Sequence, residues 1–143
     1  MVGIYISSEI RRVVIGRANN QCEYCLTPAE WSPEIFEIEH VYPLVAGGRT
    51  ELSNLAYACP ACNRYKHNKH MAVDPETRQD VPLFHPHKGR WQDHFMWSED
   101  HSSIIGTTAT GRSTIVTLRM NRYSVQKFRK ALVAIHQHPA IHS

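Results

Sequence analysis

The sequence predicts an α+β fold: a strand–strand–helix finger clamped at one end by its cysteines, with a helix before it and a hairpin plus helices after it. Three observations predict this. All four cysteines fall in two Cys-x-x-Cys pairs, Cys22/Cys25 and Cys59/Cys62. Between them, Phe36 to Val41 alternates apolar and polar residues, then breaks at Pro43 and turns at Gly47-Gly48. Pro60 follows Cys59 at once, where proline suits the first turn of a helix.

Each element has its own local cause. Ser8 to Ala18 reads as a helix: Ser8 suits the N-cap, Glu9 complements the positive end, and Ile10, Val13 and Val14 share one face. Thr27 to Glu34 carries Pro28 and Pro33 and reads as loop. Phe36 to Val41 is the first strand, with Glu37 and Glu39 on one face and His40 on the other. Glu37 is expected to face solvent without a role. Leu55-Ala56-Tyr57-Ala58 is a short return strand, and the helix opening at Pro60 carries Cys62, Asn63 and Lys66. Residues 72–90 hold prolines and little periodicity, which predicts an ordered wrap. Trp91 to Trp97 and Ser103 to Gly106 predict a hairpin, its aromatic residues in the hairpin core and His101 near the turn. A short helix from Gly111 to Met120 follows, then a last helix capped by Ser124. In that helix Val125, Phe128, Leu132 and Ile135 form the inward stripe, and Lys127, Arg129 and Lys130 a solvated face. The final few residues are expected to fray.

Composition narrows the classes. A length of 143 residues predicts one domain over 1–143, with a core at 21–70 and a C-terminal extension at 71–143. Such a chain is short enough to gain from a metal staple. No apolar run is long enough to span a membrane, and the N-terminus lacks a basic-then-apolar signal pattern, so a cytoplasmic location and reduced cysteines are expected. Each Cys-x-x-Cys pair then offers two thiolates to one tetrahedral Zn²⁺, and two pairs fill a closed Cys₄ site. A closed site has no open coordination position, so this zinc holds structure. A net charge of +3 permits a nucleic-acid partner without requiring one.

Cys22-x-x-Cys25, Glu39-His40, Gly47-Gly48, Asn54-Leu55 and Cys59-x-x-Cys62-Asn63-x-x-Lys66 closely resemble the HNH endonuclease motif in its four-cysteine, zinc-bound form. Five elements recur in one order between Gln21 and Asn68. Pro82-Leu83-Phe84, Trp91-x-x-His94-Phe95, Gly111-Arg112 and Asn121-Arg122 resemble the C-terminal extension of small bacterial members, without an evident role. The resemblance implies a ββα-metal finger that hydrolyses DNA phosphodiester bonds with a divalent cation. It implies that His40 is the general base and Glu39 a cation ligand. Asn54 would tie the loop across the finger and orient the base, and Asn63 would be the second cation ligand.

The residue chemistry agrees with this. A neutral imidazole accepts a water proton at neutral pH. Glu and Asn oxygens suit a hard ion such as Mg²⁺ or Mn²⁺. Neighbouring strand residues point to opposite faces, so Glu39 and His40 share a site only if a bulge or steep twist brings them round. Arg64, Lys66 and Lys69 are the candidate phosphate contacts. The expected partner is duplex or structured DNA, the expected state a monomer or homodimer. A zinc-stabilised nucleic-acid binding module without catalysis is the alternative, and a zinc ribbon for protein partners a third reading.

Overall fold

The computed structural model describes residues 5–140. The expected fraying of the last few residues concerns positions 141–143 in part, which lie outside the described residues. The described residues form two compact units: residues 5–70 with 85–90, and residues 71–84 with 91–140.

The first unit opens with α1 (Ser8–Arg17). Ser7, one residue earlier than expected, is its N-cap, accepting from the Ile10 amide at 3.2 Å. Val14 and Ala18 are buried, and the chain then enters the first cysteine pair. β1 (Glu37–His40) pairs antiparallel with β2 (Leu55–Ala58) in an unbroken register from Glu37 opposite Ala58 to His40 opposite Leu55. No bulge interrupts it, so the ordinary alternation of strand side chains holds. All four residues of β2 are buried, which explains its lack of a polar face.

Between the strands the loop doubles back through Gly47, whose φ of +96° lies in the left-handed region. Gly48 is required for a different reason. A Cβ there would collide with the Tyr42 carbonyl, so only glycine lets the two backbones approach. α2 (Pro60–Lys66) follows, with Pro60 in its first turn and Cys59 as N-cap. Residues 85–90 complete this unit: His87 Nε2 lies 2.8 Å from the Leu55 carbonyl and 3.4 Å from Glu23.

The second unit holds two hairpins and two helices. The segment expected as a wrap contains β3 (Met71–Val73) paired with β4 (Asp80–Pro82). Buried Asp74 organises their turn by accepting from the Glu76 and Thr77 amides, and Arg112 grips both its oxygens at 3.0 and 2.9 Å. A short helix α3 (Trp91–His94) leads into β5 (Phe95–Trp97), which pairs with β6 (Ile104–Gly106). Trp91 stacks near Phe95 and Trp97 at 5.1 and 5.4 Å between ring centres. α4 (Ala109–Leu118) is capped by Thr108, and α5 (Tyr123–Ala134) closes the unit.

The extension motifs thereby acquire structural roles. A Cβ on Gly111 would collide with the His94 carbonyl, so glycine is what lets α4 reach the hairpin. Asn121 pins β6 by accepting from the Ile104 amide and donating to its carbonyl, both at 2.8 Å. Arg129 corrects the expectation of a solvated basic face. It is buried and donates to the carbonyls of Ser102 and Met120. Ile135, expected in the inward stripe, is half exposed at the helix end.

Candidate active site

The four cysteine sulfurs are brought together from two knuckles and buried. All lie within 4.8 Å of one another, and Cys25 Sγ is 3.7 Å from Cys59 Sγ. A tetrahedron with zinc–sulfur bonds of ~2.3 Å has an edge of ~3.8 Å, so the donor set fits one Zn²⁺ in type and spacing. Burial pushes the Cys22 thiol up, while hydrogen bonds from the neighbouring cysteines and Thr27 hold Cys25 down. A divalent cation offsets the cost of gathering thiolates in so dry a site. Cys59 Sγ also accepts from the Cys62 amide at 3.4 Å, so the cage is joined to the first turn of α2.

β1 and α2 meet through two side-chain pairs in matched register. Glu39 accepts from Lys66 Nζ at 3.1 Å and from the Tyr24 hydroxyl. Two residues earlier, Glu37 accepts from Asn63 Nδ2, three residues earlier on the helix. Strand steps of two thus face helix steps of three, and the acids latch β1 onto α2. Lys66 Nζ also donates to the His40 carbonyl at 3.1 Å.

This arrangement commits Glu39 and Lys66 to each other, although Glu39 still borders the same cleft as His40 and Asn63. Glu39 is only 6 % exposed, and both its oxygens are held, one by Tyr24 and one by Lys66. Burial pushes its carboxyl up, and the Lys66 charge opposes that shift. Lys66, expected to reach phosphate, is 1 % exposed and belongs to this buried pair, so the surface contact assigned to it is corrected. Its long apolar stem and the facing Glu39 explain why it is inside. Arg64 and Lys69 stay on the outer surface of the helix and its exit, and Arg64 borders the cleft.

An open cleft of about 370 Å³ is lined by His40, Leu44, Asn63, Arg64, His67 and Asn68, with Ile38, Glu39 and Pro43. His40 Nε2 lies 2.8 Å from Thr50 Oγ1. Partial burial lowers the His40 pKa, and the Lys66 charge lowers it further, so both favour the neutral ring. The Asn54 carboxamide is buried and fully used. It accepts from the Tyr42 amide at 2.8 Å and donates to the carbonyls of Tyr42 and Arg49 at 3.0 and 2.9 Å. It therefore closes the 42–49 loop that carries the glycine turn. Thr50 and Tyr24 were not singled out from the sequence. Nothing in their types marks them, since they work through contacts made only by folding.

Fold and site together define a ββα finger held by a four-sulfur metal site, with a histidine-lined cleft between the hairpin and the helix. Residues 22–69 match the model of the HNH endonuclease family, and this segment is an HNH endonuclease domain. No curated protein matches the chain. The family match supports a nuclease-type function. Among the described residues, no helix is long and apolar enough to cross a membrane.

Proposed function

We propose that the chain is a metal-dependent endonuclease that hydrolyses DNA phosphodiester bonds. The observation carrying this reading is the His40 imidazole on a cleft wall shared with Asn63 and Arg64, where burial and the Lys66 charge favour its neutral form. When Nε2–H donates to Thr50 Oγ1, Nδ1 keeps the free lone pair that accepts a proton. Water then loses a proton to that nitrogen as its oxygen bonds to phosphorus. The bond from phosphorus to the 3′ oxygen breaks, leaving a 5′ phosphate; the departing 3′ oxygen takes a proton from water to become a hydroxyl, and the imidazolium passes its own proton to solvent.

A hard divalent cation, Mg²⁺ or Mn²⁺, would supply stabilisation for the negative charge that builds in this reaction. Asn63 offers it a carboxamide oxygen in the cleft. Glu39, the other ligand implied by the motif, would first have to release Lys66 or Tyr24. Asn54 acts on the loop after His40, Zn²⁺ holds the finger, and Arg64 and Lys69 offer charge to the DNA backbone. The core at 21–70 and the extension at 71–143 act as one nuclease in this reading.

Plasmid nicking tests it. Zinc-loaded protein with Mg²⁺ or Mn²⁺ is expected to nick supercoiled DNA, and EDTA and His40→Ala to abolish nicking. General-base removal costs about 10²–10⁴-fold in rate. Undiminished nicking by His40→Ala would overturn the assignment. The engaged Glu39 carboxylate favours one second reading, a binding module without catalysis. Salt-dependent DNA binding with no metal-dependent cleavage would establish that instead.

A further inference from the structure

We propose that Glu37 is a positioning residue that orients the Asn63 carboxamide so that its oxygen faces the cation; this rests on the metal-dependent reading above. An asparagine side chain presents oxygen or NH₂ by a simple flip, and only its hydrogen-bond partners decide which. The Asn63 amide has one partner among the described residues, the carboxylate of Glu37 on β1. An ionised carboxylate accepts and never donates, so only the NH₂ end can face it. The flipped amide would set two oxygens against each other. Oδ1 is therefore left as the free end, on a residue that lines the cleft beside His40.

Charge leads to the same residue. A divalent cation favours a site with net negative charge nearby. Glu39 does not provide it, because Lys66 neutralises it inside the fold. Glu37 is exposed and forms no ion pair with a cationic side chain among the described residues. It is thus the carboxylate of this latch whose charge is not cancelled. Partners lying behind metal ligands in this way fix orientation and raise affinity, and losing them costs about 10–100-fold.

The experiment uses the zinc-loaded full chain. Mn²⁺ binding is followed by electron paramagnetic resonance of the free ion, and plasmid nicking is titrated with Mn²⁺ alongside. Glu37→Gln, whose amide can turn either end to Asn63, is expected to weaken Mn²⁺ binding and raise half-saturation about tenfold. The rate at saturating Mn²⁺ is expected to change little. The double variant Glu37→Gln/Asn63→Asp is expected to recover affinity, since a carboxylate presents oxygen whichever way it turns. Unchanged Mn²⁺ affinity in Glu37→Gln, no recovery in the double variant, or no Mn²⁺ binding by the wild type would each overturn the proposal. The two readings separate cleanly. Wild type whose Mn²⁺ affinity depends on Glu37 but which cuts no DNA keeps this inference and sinks the nuclease; nicking indifferent to Glu37→Gln does the reverse.

Discussion

His40 is competent as a base only without its second proton, and both burial and Lys66 disfavour that proton. The sign follows directly. A lowered pKa extends the competent range toward acid, so nicking is expected to fall on an acid limb centred below the ordinary histidine value of about 6.5. A pH–rate profile at saturating Mg²⁺ checks this, and an acid limb centred above 6.5 would remove His40 from the role. At this scale the sequence was informative about residue types and poor at their surroundings. His40 and Asn54 between the cysteine pairs, and Asn63 directly after the second, could be singled out as candidates because their order is specific. That Glu39 turns inward and Glu37 stays out was not, because alternation places both on one face and does not say which end of it is covered. The pattern Glu-x-Glu against Asn-x-x-Lys was nonetheless present, and matching strand steps of two to helix steps of three would have paired them.

Two elements carry the cleft, and each has a weak point that mutation exposes. The β1–α2 latch depends on a buried ion pair. Lys66→Met leaves Glu39 in the interior with Tyr24 alone and is expected to cost about 3–5 kcal/mol. Lys66→Met/Glu39→Leu should recover most of that loss, because it removes both charges. Denaturant unfolding of zinc-loaded protein measures both; equal losses in single and double variants would show that the pair does not couple. The glycine turn gives a second contrast. Gly47→Ala meets open space and is expected to cost about 1–2 kcal/mol for its left-handed backbone. Gly48→Ala drives a Cβ into the Tyr42 carbonyl and displaces the loop tied by Asn54, so its melting point should fall further. The reverse order would contradict the packing described. The finger elements could be read from breakers and alternation, whereas β3 and β4 could not. Each has three residues, and Asp80-Val81-Pro82 offers neither β-rich composition nor a free amide at Pro82.

For the whole molecule, the cysteine cage is the feature of the first unit that spacing made visible. Structural zinc sites supply about 10–16 kcal/mol of coupled binding and folding. Removing zinc with a strong chelator, or Cys62→Ser, is expected to unfold the finger and abolish nicking in a way added Mg²⁺ does not restore. Metal analysis should find one zinc per chain, and backbone amide spectra that keep the β1–β2 signals after chelation would sink this. The return of residues 85–90 to the first unit was hidden, since His87 is fixed there by a backbone carbonyl and Glu23, contacts without a sequence period. One sulfur has a further consequence. Cys59 is at once a member of the cage and the cap of the helix bearing Asn63. An oxidant that converts it to sulfenic acid strips a ligand and frays the start of that helix together. On the proposed nuclease reading, peroxide would then act on the cleft through its scaffold, and nicking is expected to be lost as the cage oxidises.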